Sequence, residues 1–223
     1  MSQHFQPNLL KFFDFTESDQ ETRWGSAIAL YQRAFPPSEK LSVEILEEKI
    51  SNKKFQLIIG EDNSEVIAIA VLCPLSQTNF ILLGYLAIDE KYRGQGIGKH
   101  FMDYLKTHLK AQNKFLLLEV EHPQFGENRD IKQKRINFYY RLGAKSLDNI
   151  RYLLPNLAQE KSPEMLLMIY PKYPQDYVEK ELVRKLIRTT YQDFYNQKYH
   201  SNIDILCHNI PDKTLLSSTI RTK

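Results

Sequence analysis

The stretch YLAIDEKYRGQGIGKHFMDYL, residues 85–105, decides how the rest of the chain is read. It opens as an apolar run suited to a strand and passes through Gly94, Gly96 and Gly98. Beyond them Ile97, Phe101, Leu105 and Leu109 recur every four residues, the period of an amphipathic helix. Three of the eight glycines in the chain therefore fall within five residues, at a strand-to-helix turn. Glycine lets successive N–H groups turn to one side and puts no Cβ in a ligand's way. A helix N-terminus adds unsatisfied donors and about half a unit of positive dipole charge. Together these predict a phosphate cradle; the alternative is a tight turn that only joins a strand to a helix.

Outward from this stretch the elements follow in order. Upstream, the apolar runs Phe55–Gly60, Val66–Leu72 and Asn79–Ile88 are parted by polar turns at 61–64 and 74–78, which predicts an antiparallel meander. Before them, Leu9–Thr16 reads as a first strand. Glu21–Phe35 reads as a helix on the spacing of Trp24, Ile28, Tyr31 and Phe35, stopped by Pro36-Pro37. Ser42 is an N-cap for a second helix holding Val43, Leu46 and Ile50. Downstream, Phe115–Val120 reads as a buried strand and Ile131–Leu142 as a helix closed by Gly143 in a left-handed cap. Ser146–Leu154 and Met165–Tyr170 read as two last strands. Tyr177–Tyr195 predicts one amphipathic helix with Val178, Leu182, Leu186, Thr190 and Phe194 in register. From His200 onward no period is visible, which predicts a poorly ordered tail. The order is that of an α/β (α+β) mixed domain over residues 1–172, with a C-terminal helical extension and tail over 173–223.

Composition narrows the class. The chain has 223 residues, 42% apolar and 26% charged, as an ordinary globular protein does. No run approaches the roughly 18 uncharged apolar residues of a spanning helix, so no membrane partner is expected. The start, MSQHFQPNLLKFF, lacks the basic-then-apolar order of a secretory signal, and Cys73 and Cys207 form no framework, so the expected location is cytoplasmic. Thirty basic against 27 acidic residues leave a net charge of +3, too even for a nucleic-acid coat. His4, His100, His108, His122, His200 and His208 show no ligand spacing, so no metal is expected.

Two familiar phosphate motifs do not fit the glycine turn. With Gly98 and Lys99 as the GK pair of GxxxxGK[ST], the opening glycine falls on Arg93 and the hydroxyl on His100. In GxGxxG the last glycine falls on Lys99 or Phe101. The pattern that fits is [RQ]xxGx[GA], carried by Arg93, Gly94, Gln95, Gly96, Ile97 and Gly98. In its strand–turn–helix setting it resembles the acetyl-CoA pyrophosphate loop of the GNAT acetyltransferase superfamily, a likeness that covers Leu9 to Tyr170. The resemblance implies a central, mostly antiparallel sheet splayed at strands 4 and 5. It also implies that backbone groups of Leu86, Ala87 and Ile88 pair with the pantetheine arm, while the amides from Arg93 to Gly98 hold the pyrophosphate. Acetyl-CoA would be the cosubstrate.

Acetyl transfer to an amine has two proton demands. An amine with a pKa near 10.4 must be neutral to attack, at a cost of roughly 4 to 5 kcal/mol at pH 7, and the departing thiolate must gain a proton. A carboxylate can meet the first demand and a tyrosine hydroxyl the second. NFYYRLGA, residues 137–144, is similar to the FYxxLG[FA] signature of the superfamily, which implies Tyr139 as general acid and leaves Tyr140 to the core or the substrate wall. The alternative is an aromatic packing face. Leu118-Glu119-Val120 is similar to the LEV strand of the ribosomal-protein alanine acetyltransferases, which implies Glu119 as base; Glu121, on the same strand face, competes. A carboxylate in an apolar strand is costly to bury alone, so Glu119 has either a task or a salt bridge to a helix.

The family often has Asn and Ala seven and four residues before the tyrosine, where this chain has Lys132 and Arg135. An additional stretch, His122–Arg129, is a candidate substrate wall. The cations between Arg129 and Arg135 read as a solvated helix face or as a partner for the CoA 3′-phosphate. The turn at 34–40 resembles the acceptor-site loop of many GNAT proteins, where Glu39 would draw a cationic amine or be a plain loop acid. The acceptor expected is a small-molecule or amino-acid-like primary amine. A protein lysine or N-terminus is the alternative within enzymes, and a non-catalytic acyl-CoA sensor the alternative outside them. A homodimer through Tyr177–Tyr195 is a further expectation.

Overall fold

The structure is a computed structural model that describes residues 10–15, 21–155 and 163–220. The described residues fall into two compact units, one within Met1–Cys73 and Leu83–His108, the other within Pro74–Leu82 and Leu109–Lys223.

The first unit holds strands β1 (Lys11–Asp14), β2 (Gln56–Asp62), β3 (Glu65–Pro74) and most of β4 (Phe80–Ile88), hydrogen-bonded in that order. The ends expected for the first strand, Leu9 and Thr16, lie outside the described residues, as does His4. Strand β2 runs antiparallel to both neighbours, with Phe12 opposite Gly60 and Ile59 opposite Ile69. Every residue from Val66 to Cys73 is buried, because both faces of β3 are covered. Helices α1 (Glu21–Ala34) and α2 (Val43–Ser51) keep the boundaries that their apolar spacing predicts, and the Ser42 hydroxyl accepts from the Ile45 amide as an N-cap. Helix α3 (Ile97–Ala111) buries Ile97, Phe101, Leu105 and Leu109 to 1% exposure or less. That is the stripe its four-residue period describes.

The second unit is organised around β8 (Glu164–Tyr170), a strand of six consecutive buried residues. It pairs antiparallel with β5 (Phe115–Glu121), β6 (Lys145–Leu147) and β7 (Tyr152–Leu153). Helix α4 (Arg129–Arg141) ends where Gly143 turns left-handed at φ 92°, as expected.

Three sequence expectations are corrected here. Ser146–Leu154 is not one strand: the chain leaves β6 at Asp148, passes Asn149 in the left-handed region at φ 57°, and re-enters as β7. Tyr177–Tyr195 is not one helix. Its first residues form strand β9 (Tyr177–Glu179), helix α5 spans Lys180–Thr189, and a π-helical turn covers Thr190–Phe194. Residues 200–220 of the tail hold helix α6 (Asn202–His208) and strand β10 (Lys213–Ser217), which pairs with β6 on one side and β9 on the other. Five residues are too few to display a period, and both partners of β10 lie dozens of residues upstream.

Candidate active site

The glycine turn joins β4 to α3 through a short 3-10 turn at Glu90–Tyr92. Asp89 caps the 3-10 turn Glu90–Tyr92 by accepting from the Lys91 amide at 3.0 Å and pairs with Arg33. Burial would raise the Asp89 carboxyl, but Arg33 and the Lys91 amide hold it below the usual range. The Arg93 guanidinium donates from Nε to the Ile88 carbonyl at 3.1 Å, and the Gln95 side chain from Nε2 to the Lys91 carbonyl at 3.1 Å. Gly94 and Gly96 both lie at positive φ, 79° and 83°, where a Cβ is strained. Among the described residues nothing comes within 4 Å of where either Cβ would stand, which leaves space there for a ligand.

The backbone amide of Arg93 donates to the Glu90 carbonyl at 3.2 Å, which removes it from the expected cradle. The amides of Gly94, Gln95, Gly96, Ile97 and Gly98 make no internal hydrogen bond among the described residues, while Gly96 offers its carbonyl to the amides of Lys99 and His100 as α3 begins. Five consecutive backbone donors without such a bond at a helix start are an arrangement to which an anion is suited. Upstream, Leu86 and Ile88 are half-buried and Ala87 is buried. The loop at 34–40 is pinned from below: the Tyr85 hydroxyl donates to the Glu39 carbonyl at 3.2 Å and accepts from the Leu41 amide at 2.8 Å.

In the second unit, Tyr139 is buried to 8% exposure on α4, its ring set edge-on against Phe138. Burial pushes its hydroxyl up to about 12, against the pull of Arg135, so it stays protonated through the neutral range. That hydroxyl has no hydrogen-bond partner among the described residues. Tyr140 shares a hydrogen bond of 2.9 Å with Ser146 and lines a cavity of about 430 Å³ with Pro123, Arg129, Gln133, Arg141 and Ile220.

The two candidate carboxylates have opposite surroundings. Glu121 lies between Lys132, at 3.3 Å, and Arg135, so its charge is already matched by α4. Those two cations are accordingly committed to Glu121. Glu119 pairs with no cation among the described residues. Its carboxylate accepts from two phenols, the Tyr152 hydroxyl on Oε1 and the Tyr195 hydroxyl on Oε2 at 2.7 Å. Burial raises its pKa to about 7 even though both phenols pull it down. The side chain keeps part of its surface open.

Neither Tyr152 nor Tyr195 stood out in the sequence. The signal was indirect: a carboxyl in the run Leu116–Val120 requires donors, and the chain is rich in tyrosine. Among the described residues no cluster of three metal-ligating side chains occurs, and no helix is long and apolar enough to cross a membrane.

Comparison with known proteins agrees with this fold. The sequence model of the acetyltransferase (GNAT) domain matches residues 53–143, from the start of β2 to the end of α4. YjbC of Bacillus subtilis (strain 168), named provisionally as an acetyltransferase, is 30% identical over 135 residues, 57% of this chain. The match spans 66% of that relative, just under two thirds of its length. A solved structure from Bacteroides thetaiotaomicron, provisionally assigned to the same GNAT family, superposes with a TM-score of 0.67 at 24% identity, covering 83% of this chain and 97% of that one. A GNAT family acetyltransferase from Elizabethkingia anophelis, solved with acetyl-CoA bound, gives a TM-score of 0.52 at 16% identity over 73% of this chain and 97% of that one. At these identities the two structures establish the fold alone.

Proposed function

We propose that the chain is a GNAT acetyltransferase and moves an acetyl group from acetyl-CoA directly to a primary amine of a small or amino-acid-like acceptor. The observation that carries this is the row of free amides from Gly94 to Gly98 at the start of α3, with open space over Gly94 and Gly96. A diphosphate fits that row in charge and in donor number. The Elizabethkingia anophelis protein of like fold carries acetyl-CoA.

In this reading the amides of residues 94–98 hold the diphosphate, and the backbone of Leu86, Ala87 and Ile88 aligns the pantetheine arm. Glu119 takes the amine proton as nitrogen attacks the thioester carbon. A carboxylate that titrates near 7 is well matched to this task at neutral pH, half-ionised and still a useful acceptor. The carbon–sulfur bond then breaks, and Tyr139 supplies the proton to the leaving thiolate. With a hydroxyl held near 12 and no internal partner, Tyr139 is a donor in reserve. Glu121 is the weaker candidate for base, since its charge is matched by Lys132 and Arg135. Glu39 attracts the cationic acceptor, and Tyr140 contributes a wall. Residues 1–172 form the transferase domain, and 173–223 are an extension.

The test is a screen of amine acceptors with detection of released CoA thiol, run on the native chain and on Gly96→Glu, Tyr139→Phe and Glu119→Gln. Turnover that disappears in Gly96→Glu, and falls in the other two while CoA binding is kept, supports direct transfer. Binding of CoA without turnover on any amine would favour a sensor; turnover only on peptides would favour a protein acceptor.

A further inference from the structure

We infer that the C-terminal segment is part of the catalytic apparatus, with Tyr195 and Tyr152 acting as positioning residues that clamp the Glu119 carboxyl between two phenol donors. The inference rests on Glu119 as base, and it assigns a task to a segment that no family motif reaches.

The geometry is that of a clamp. Each carboxylate oxygen of Glu119 receives one phenol, Oε1 that of Tyr152 on β7 and Oε2 that of Tyr195 just past the π-helical turn. Tyr152 is 0% exposed and Tyr195 8%, so neither ring can swing away. Tyr191 stands edge-on between them, its centroid 6.1 Å from Tyr152 and 6.3 Å from Tyr195, and its hydroxyl is tied to the Leu153 carbonyl at 2.6 Å. The turn is anchored at its far side, where the Asp193 carboxylate accepts from the Ser76 amide at 2.7 Å. A π-helical turn takes more residues than an α turn, which re-aims the side chain that follows it, and such turns recur at functional sites. Here the side chain re-aimed is Tyr195.

Two phenols fit a base better than a merely buried acid. A carboxylate has about four lone-pair positions, so two donors fix its plane and leave two positions for an amine or a water. Glu119 stays half-buried, which keeps such a position reachable. The ionisable groups that face it are Tyr152 from β7 and Tyr191 and Tyr195 from the C-terminal segment, with no cation among the described residues. The phenols alone therefore favour the charged form against burial.

The test is a carboxyl titration by NMR on the full chain carrying 13C-labelled glutamate, with Glu119→Gln to assign the signal, in the native protein and in Tyr195→Phe and Tyr152→Phe. Both substitutions keep the ring, and thermal melts check that each variant folds. Loss of one donor is expected to raise the Glu119 midpoint by about one pH unit. It should lower kcat about tenfold with KM for acetyl-CoA unchanged, and move the acid limb of the rate profile up by the same amount. A midpoint that stays put in both folded variants overturns the clamp. Full turnover in Glu119→Gln overturns the base assignment instead, a failure read on a different signal.

Discussion

The glycine turn and the Glu119 clamp both prepare the protein to handle charge, but they are assembled over different distances along the chain. The turn is local: its five free amides come from consecutive residues, and its geometry follows from two left-handed glycines and a helix start. The clamp joins Glu119 to phenols 33 and 76 positions away, through β7 and the π-helical turn. A local device is robust to what happens elsewhere and fails only when its own residues change. A device gathered from distant segments is sensitive to how those segments fold, and with Glu119 as the proposed base it would tie the C-terminal region to turnover.

The comparison breaks most sharply at Gly96. Gly96→Glu puts a strained side chain and a negative charge where the proposed diphosphate site lies. The account predicts a fall in kcat/KM for acetyl-CoA of roughly 10³-fold or more and loss of measurable CoA binding by calorimetry. Glu119→Gln should act on the other device alone, lowering kcat by roughly 10² to 10³ while calorimetry still finds CoA bound.

A third expectation sharpens the contrast through pH. The folded-state pKa of Glu119, about 7, lies above its unfolded value near 4.3. The native state therefore binds more protons than the unfolded one between those limits, and the stability of the fold decreases as pH rises from about 4.5 to 7. Urea titrations should show the native chain losing about 2 to 3 kcal/mol over that window relative to Glu119→Gln. Turnover is expected to move the opposite way, falling as pH drops below about 7 and Glu119, the proposed base, becomes protonated. The smallest effect belongs to Glu121→Gln. Its ion pairs with Lys132 and Arg135 are partly exposed, so about 0.5 to 1 kcal/mol of stability should go, with kcat within about twofold of native.

The same division explains what the sequence made legible. Wherever burial imposes a period on a long element, the residues announce it. Ile97, Phe101, Leu105 and Leu109 do so for α3, and Ser42 marks the start of α2 through its own side chain. The glycine turn could be read for the same reason, its parts being neighbours. Strand β9 could not, because Tyr177–Glu179 becomes a strand only by pairing with Lys213–Leu215, and locally it continues the period of α5. Glu119 was legible as an oddity in an apolar strand, whereas its donors were not. The helix-facing salt bridge that a buried carboxylate invites exists two residues further on, at Glu121. Sequence places the Arg93 amide in the cradle because it cannot tell a 3-10 turn that consumes that amide from a loop that leaves it free.

The most direct measurement follows the backbone amides of Gly94, Gly96 and Gly98 by 15N-resolved NMR as CoA is added. The account predicts large, saturable shifts at these three positions with a midpoint equal to the dissociation constant found by calorimetry. CoA that binds while these amides stay unmoved, or that does not bind at all, would contradict it.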